Sequence, residues 1–296
     1  MAATTMHGAA APSGGPAQAS LLVVGVVRDG ERRMRADLES LRRATAGFGR
    51  VRWLVVESDS SDGSVGILTA LRGEWDGFDF VTLGETRSRL PDRLARIANA
   101  RNAYLDALRD DPRLADVTHV LVADLDGVCG ALTPWALASC WSLAVPWSMC
   151  AANQGDFYYD VFALRHPDWC PGDAWALHRR LEPLIGRDEA DNVALFSRMV
   201  HLAPDLPPIE VESAFGGLAL YTREAMLAGR YAGVDAQGEA VCEHVPFHAQ
   251  LRAAGHRLYI HPGLINARRT KHAGRKKLVR TLRRKAWNRL RSLVGR

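Results

Sequence analysis

The sequence has few cysteines and almost no lysine. Its five cysteines make an odd number among 296 residues, and none form a pair separated by two residues. We therefore expect reduced, mostly buried thiols in a cytosolic protein, and a structural zinc site is disfavoured. All four lysines lie within residues 271–296. The rest of the chain uses arginine as its only fully charged cation.

Long apolar runs are also missing, since no uninterrupted stretch approaches the ~18 residues that a membrane span needs. Residues 1–19 are rich in Ala, Gly, Ser, Pro and Thr and contain neither Lys nor Arg. This composition predicts a disordered leader rather than a signal peptide. With 47% hydrophobic residues the chain can bury a substantial core. Nothing marks a second core, so we predict one domain over residues 20–272.

Acidic residues are absent from the C-terminal end. Of the 38 Lys and Arg residues, 13 lie from Arg268 onward, which leaves 25 in the rest of the chain against all 33 Asp and Glu residues. From Leu278 onward, apolar residues recur at spacings of three and four, which predicts a basic amphipathic helix within 273–296. Such a tail suits an anionic membrane surface. The alternative is that it docks on the acidic body or on another subunit.

Short apolar runs alternate with helical patterns through the first half of the chain. The runs that we interpret as strands are 21–27, 51–56, 78–83 and 119–128. Strands separated by helices predict an α/β fold with a parallel sheet and right-handed crossovers.

The fourth predicted strand ends in Asp124-Leu125-Asp126-Gly127. Ligands of open α/β sheets bind outside the carboxyl ends of the strands, and alternate residues of an extended chain point the same way. Paired carboxylates near a diphosphate need a divalent cation between them, and Mn²⁺ and Mg²⁺ prefer oxygen ligands. We therefore predict that Asp124 and Asp126 face one ligand together. A solvated turn is the alternative, because Asp and Gly are common turn residues.

Other polar residues follow or flank the predicted strands. Arg28 follows the first strand and Glu57 the second, while Arg101 lies on the helix before the fourth strand. Glu57 could accept hydrogen bonds from a base or a ribose, and Arg101 could contact a phosphate. For the helix that carries Arg101, a solvated polar face is the alternative.

Several segments in a fixed order resemble the GT-A glycosyltransferases. Within that group they look most like the capsule-associated α-mannosyltransferases and the yeast Golgi mannan polymerases. The segments are RLARIANARNAYLDAL (93–108), LVADLD (121–126), YYDVFALR (158–165), VESAFGGLALYTREAM (211–226), CEHVPFHAQL (242–251) and LYIHPGLIN (258–266). Together they extend over roughly residues 21–272.

The resemblance implies a GT-A Rossmann-like α/β/α sandwich with a mostly parallel central sheet. It also implies metal-dependent transfer of a sugar from a nucleotide-sugar donor, with GDP-mannose favoured. The acceptor would be a glycan or a lipid-linked acceptor of surface polysaccharide synthesis. That acceptor would place the protein at the cytoplasmic face of a membrane, held there by its basic tail.

The resemblance also implies roles for individual residues. Asp126 would bind the metal together with a late histidine, for which His272 is favoured over His261. Glu243 would be the catalytic residue at the sugar or acceptor, with a favourable helix-dipole charge or a structural ion pair as alternatives. Asp160 and His244 would contact the acceptor. The residues expected at the nucleotide sugar are Arg28, Glu57, Arg101, Asp124, Gly216 and Gly217.

The pair Glu243-His244 stands where inverting relatives carry two acidic residues, so the stereochemical course stays open. A second reading of Asp124-x-Asp126 is the nucleophile motif of haloacid-dehalogenase-type phosphatases. Three predicted strands before this motif argue against that class, as does the absence of lysine before residue 271. A third reading is a polyanion-binding protein that uses its tail. The acidic body and the lack of a nucleic-acid-binding fold argue against a specific nucleic-acid partner.

Overall fold

The computed structural model describes residues 14–270. Most of the predicted leader, His272 and the basic tail lie outside these residues. The strands are β1 (Ser20–Val27), β2 (Arg50–Glu57), β3 (Phe78–Thr82), β4 (His119–Ala123), β5 (Met149–Gln154), β6 (Ile209–Glu210), β7 (Leu218–Thr222) and β8 (Leu258–Ala267). The α-helices are α1 (Met34–Ala44), α2 (Ser64–Glu74), α3 (Arg93–Asp110), α4 (Pro134–Ala138), α5 (Ala174–Ile185), α6 (Arg187–Ala190), α7 (Arg223–Leu227) and α8 (His244–Ala253).

All eight described strands form one sheet, in the order β3-β2-β1-β4-β7-β5-β8-β6. The first four strands along the chain pair in parallel, as do β5 and β8. β7 runs antiparallel to both β4 and β5, and β6 runs antiparallel to β8. The predicted fold class, an α/β sandwich with a mostly parallel central sheet, is confirmed.

Both faces of the sheet are covered, which explains the continuous apolar runs of the central strands. Along β1, Leu22 and Val24 pack into one apolar cluster with α3, whereas Leu21 and Val23 pack into another with α1 and α2. β4 alternates in the same way. The result is the three-layer arrangement expected of a GT-A Rossmann-like fold.

Element boundaries differ from the prediction where local geometry intervenes. The fourth predicted strand, 119–128, ends at Ala123. β7 begins only at Leu218, because Gly216 and Gly217 have φ of +68° and +78°. β8 extends to Ala267 because it pairs with β5 through Gln154. All five cysteines are buried and unpaired, which agrees with the prediction of buried thiols. None of the helices between residues 14 and 270 has the length and apolar character needed to cross a bilayer.

Candidate active site

A cavity of about 780 Å³ lies at the carboxyl ends of β1, β2 and β4. This is the edge of the sheet where a parallel α/β fold binds its ligands. Seven of the residues singled out from the sequence line this cavity: Arg28, Arg101, Asp124, Asp126, Asp160, Glu243 and His244. The structure therefore brings together residues that are up to 216 positions apart in the chain.

Asp124 follows β4 directly, and 35% of its side chain is exposed. One of its oxygens, Oδ1, accepts a hydrogen bond of 3.1 Å from Arg101 Nη2. Burial is the main cause that raises the pKa of Asp124, to about 7. Arg101 lowers that pKa, while the charges of Asp126, Glu243 and Asp160 add to the increase. Four carboxyl groups, those of Asp124, Asp126, Asp160 and Glu243, thus share the cavity with the buried Arg101.

Arg101 connects the end of β4 to the start of α8. Its side chain is only 3% exposed, and its Nε donates to Glu243 Oε1 at 2.8 Å. The guanidinium also lies over the rings of Phe215 and Tyr231, at 5.1 and 5.7 Å from their centroids. A buried cation of this kind needs such partners to offset its lost hydration. The predicted phosphate contact of Arg101 stays a prediction, and its donors already bind two carboxylates.

Glu243 precedes the first residue of α8 and is 7% exposed at its side chain. Glu243 thus forms the structural ion pair that the sequence analysis gave as an alternative, and its partner is Arg101. A role of Glu243 toward the acceptor remains a prediction. His244 stacks on Phe215, with ring centroids 4.0 Å apart. Burial, together with the charge of Arg101 and with His248, lowers the pKa of His244 well below its usual value, so its ring is neutral.

Asp160 holds the segment between the cavity and β7. Its Oδ2 accepts from the Gly216 backbone N–H at 2.9 Å. A Cβ at Gly216 would lie 2.4 Å from the Ala152 carbonyl oxygen, and one at Gly217 would lie 2.7 Å from the Tyr159 hydroxyl. Close packing therefore requires glycine at both positions, in addition to their positive φ. Their predicted approach to a donor sugar, and the predicted acceptor contact of Asp160, are untested.

Glu57 is buried at the end of β2, where it accepts from the Ser60 backbone N–H and from the Thr82 hydroxyl. The cavity itself is lined by the next two residues, Ser58 and Asp59. Asp59 has a φ of +57° and accepts hydrogen bonds from Thr86. Although desolvation acts in the opposite direction, hydrogen bonds from Thr86 and from the backbone lower its pKa to about 2. Asp59 is thus an ionised cavity residue that the sequence analysis did not select.

The other predicted residues have separate partners. Arg28 lines the cavity with an exposed side chain, and its Nε lies 3.4 Å from Asp29 Oδ2. His261 is 7% exposed in β8, where its Nε2 is 2.7 Å from the Ser139 hydroxyl. This contact gives His261 a structural partner. His272, the favoured metal ligand, lies outside the described residues.

The donor groups fit a hard divalent cation shared with a phosphate. Between residues 14 and 270, no three His, Cys, Asp or Glu side chains form a group able to hold a metal ion by themselves. Mg²⁺ at phosphate-transfer sites is instead held by one or two carboxylates together with substrate phosphate oxygens. Asp124 and Asp126 provide such a carboxylate pair at the cavity wall. The chemistry of these donors therefore suits Mn²⁺ or Mg²⁺ bound with a diphosphate.

The structure also identifies two residues, one within α1 and one immediately before it, that contact the loop after β4. Asp37 accepts hydrogen bonds from the Gly127 and Cys129 backbone N–H groups, and Arg33 donates to the Asp126 carbonyl oxygen. The sequence carried one signal for Asp37, since a charged residue there interrupts the apolar face of its helix. Its partners could not be read from the sequence, because they lie about 90 residues further along the chain.

Comparison with known proteins finds similar folds at low sequence identity. No protein-family model matches the chain, and no curated protein matches it. A mannosyltransferase from Pyrobaculum calidifontis in complex with GDP-Man and Mn²⁺ is 16% identical, with a TM-score of 0.47 over 86% of this chain and 58% of that one. S. aureus TarS (residues 1–349) in complex with UDP-GlcNAc is 12% identical, with a TM-score of 0.45 over 86% and 60%.

Glucosyl-3-phosphoglycerate synthase from Mycobacterium tuberculosis, in complex with UDP, is also similar. It is 14% identical, with a TM-score of 0.40 over 88% of this chain and 75% of that one. The chain thus spans about three fifths of the length of the first two proteins. Likeness at this level identifies neither donor, acceptor nor metal.

Proposed function

We propose that the chain is a metal-dependent glycosyltransferase that moves a sugar from a nucleotide-sugar donor to a glycan or lipid-linked acceptor. The observation that carries this proposal is the position of Asp124 and Asp126 in a large cavity at the carboxyl edge of a mostly parallel sheet. Mannose from GDP-mannose is the favoured donor sugar, and this choice follows from the sequence resemblance to α-mannosyltransferases.

The residues around the cavity divide into three groups by the chemistry they offer. Asp126, with Asp124 beside it, would hold Mn²⁺ or Mg²⁺ against the donor diphosphate. When bound, that cation would stabilise the negative charge developing on the leaving nucleotide. Arg101 fixes the carboxylates of Asp124 and Glu243 relative to each other through its two ion pairs. Glu243 would position or deprotonate the acceptor hydroxyl, and Asp160 and His244 would contact the acceptor.

A thermal-shift screen of nucleotide sugars tests the proposal. Binding to the folded state raises the melting temperature by mass action. We expect GDP-mannose with Mn²⁺ to raise the melting temperature more than GDP-mannose with EDTA. UDP-GlcNAc and UDP-glucose, measured side by side, decide the donor. The matched control is Asp126→Asn, which should retain the wild-type melting temperature without ligand and lose the Mn²⁺-dependent increase.

Two results would overturn the proposal. One is a screen in which no nucleotide sugar raises the melting temperature with or without metal. The other is release of phosphate from sugar phosphates in the absence of any acceptor, which would favour the phosphatase alternative. In that reading Asp124 would be the nucleophile, although its Oδ1 already accepts a hydrogen bond from Arg101.

We also propose that the enzyme acts at an anionic membrane surface, held there by residues 273–296. The support is the sequence pattern of this tail, in which Lys and Arg surround an apolar stripe that includes Trp287. Each basic residue near such a surface contributes about 1 kcal/mol. The full chain should sediment with anionic liposomes, and a chain ending at Gly274 should not. Equal sedimentation of both chains would refute the membrane role. A lower melting temperature of the truncated chain without liposomes would favour docking on the body.

A further inference from the structure

Arg33, which immediately precedes helix α1, and Asp37 within that helix make three hydrogen bonds with the four-residue loop 126–129, which begins at Asp126. The Asp37 carboxylate accepts from the Gly127 N–H through Oδ2 at 2.6 Å and from the Cys129 N–H through Oδ1 at 3.1 Å. Arg33 Nη1 donates to the Asp126 carbonyl oxygen at 3.2 Å. The backbone on the C-terminal side of the predicted metal ligand is therefore held at the peptide group between residues 126 and 127 and at the Cys129 N–H.

The burial of Asp37 requires an explanation, because it is 3% exposed on a helix face that otherwise packs Met34, Leu38 and Leu41 into the core. An apolar residue would satisfy packing at this position, whereas a buried carboxylate costs free energy unless it is hydrogen-bonded. Both of its oxygens accept backbone N–H groups of the same loop. The hydrogen bonds of the Asp37 carboxylate thus stabilise the loop rather than the helix.

The loop adopts a conformation that needs such support. Gly127 has a φ of +99°, and a Cβ at this residue would lie 2.6 Å from Arg33 Nη1. The turn therefore passes directly against α1. Because Asp126 immediately precedes the pinned Gly127 N–H, the direction of its side chain depends on the position of the turn. On its other side, the chain is fixed by β4 and by the Asp124 N–H bond to the Gly217 carbonyl.

We propose that Asp37 is a positioning residue that holds loop 126–129 so that the Asp126 carboxylate faces a divalent cation in the cavity. This inference rests on the proposed function, since it assigns Asp37 a role in metal binding at the same site. Asp37 does not touch the metal or the donor. It acts through the backbone of Gly127 and Cys129.

The test measures Mn²⁺ binding directly, by the loss of the free Mn²⁺ signal in electron paramagnetic resonance, with GDP present. Asp37→Asn keeps the shape of the side chain and replaces one of the two acceptors with an N–H donor. We expect the dissociation constant for Mn²⁺ to rise at least tenfold. GDP binding in EDTA should be unchanged, because the metal-independent contacts remain.

Ser40→Ala is the matched control. Ser40 is buried on the same helix, and its hydroxyl donates to the Ala36 carbonyl within that helix, away from loop 126–129. If Asp37 only stabilised α1, both substitutions would lower the melting temperature and neither would change the Mn²⁺ affinity well below that temperature. We expect Ser40→Ala to retain a dissociation constant within twofold of the wild type.

A folded Asp37→Asn protein with a Mn²⁺ dissociation constant within twofold of wild type overturns the inference. If Asp37→Asn does not fold, Gly127→Ala is the second variant, because its Cβ would collide with Arg33 and displace the same loop. Gly127→Ala should raise the dissociation constant for Mn²⁺ at least fivefold. An unchanged dissociation constant would again overturn the inference. A wild-type chain that takes up no Mn²⁺ with GDP or UDP overturns the proposed function, and the inference falls with it.

Discussion

The two edges of the central sheet each carry a cavity, and the two cavities hold their charges differently. The cavity at the amino ends of β2 and β3 measures about 620 Å³ and is lined by four arginines and three aspartates: Arg50, Arg52, Arg72, Arg113, Asp79, Asp111 and Asp116. Each of these seven residues has an ion-pair partner of opposite charge within the same group. Its carboxylates are 21–51% exposed at the side chain, so water can solvate them as well.

At the carboxyl edge, the buried Arg101 is shared between Asp124 and Glu243, and Asp126 and Asp160 add further negative charge. Solvent offsets the charges of Arg101 and Glu243 less than it does those of the amino edge, because both side chains are less than 10% exposed. The amino edge therefore carries exposed ion pairs in which each charge has a partner. The carboxyl edge carries an acidic cluster that shares one buried arginine and suits a bound cation. Charge composition alone would not separate the two, since both cavities mix Arg with Asp.

The largest expected effect is on stability, from removing the cation of the carboxyl-edge site. Arg101→Met leaves Asp124 and Glu243 without their common partner. Breaking a buried ion pair in this way costs about 3–5 kcal/mol of the free energy of unfolding. Urea unfolding measures this loss. Arg52→Met at the amino edge is the comparison variant, with an expected loss below about 1 kcal/mol because Asp116 is half exposed. Equal losses in both variants would contradict the distinction between the edges.

The second expected effect is on catalysis. Asp126→Asn should lower sugar transfer by about 10²–10³-fold, the range seen when one group that stabilises transition-state charge is removed. The fold should be intact, because Asp126 is partly exposed at the cavity wall. Transfer of radiolabelled sugar with saturating Mn²⁺ measures the effect. Full activity of this variant, or of the wild type in EDTA, would show that the carboxylate pair does not hold a required metal.

The strands around these cavities could be predicted from the sequence because each strand buried on both faces is a continuous run of apolar residues. The run from Leu21 to Val27 has few polar atoms, so any compact fold buries it on both faces. Asp124 and Asp126 could be found because they follow such a run. Glu57 was selected for the same reason, yet the positive φ of Asp59 turns the chain so that Asp59 lines the cavity. A run of apolar letters does not encode a turn of this kind.

Contacts between distant segments could not be predicted in this way. The pairing of Arg101 with Glu243 joins residues 142 positions apart, and that of Asp37 with Cys129 joins residues 92 apart. Each depends on how two helices lie against the sheet, which local patterns do not specify. The sequence resemblance selected both Glu243 and Arg101 but did not indicate that they form an ion pair. It did not select Asp37.

A third prediction concerns acid sensitivity, which should differ between the buried interior and the amino edge. Burial, assisted by the charge of Arg101, lowers the pKa of His248 to about 3. The ordinary value in an unfolded chain is about 6.5, so below that pH the unfolded state binds a proton that the native state does not. The free energy of unfolding should therefore fall as the pH drops from 6.5 toward 3, by about 2 kcal/mol at pH 5 for this histidine.

Denaturant unfolding at pH 7, 6 and 5 measures this loss, and His248→Gln should reduce its slope. Asp111 and Asp116 at the amino edge titrate in a lower range. Their ion pairs, first the hydrogen bond from Arg52, lower the pKa of Asp116 below its usual 3.8. Stability from Asp116 is therefore retained above that pH and is lost only as the pH falls further. A stability loss confined to pH values below 4 would contradict the role assigned to the buried histidine.

The smallest expected effect is that of an isosteric change at the amino edge. Asp116→Asn removes the charge that pairs with Arg50 at 3.3 Å and with Arg52 at 2.7 Å. Exposed ion pairs contribute about 0.2–1 kcal/mol, so the melting temperature should fall only slightly in low salt. In about 1 M NaCl the Debye length shrinks to ~3 Å, and the difference from wild type should vanish. Sugar transfer should be unchanged, because Asp116 lies before β4 while the candidate site follows it. A loss that persists in high salt would mean that the amino-edge network is buried in solution, and the contrast between the two edges would then fail.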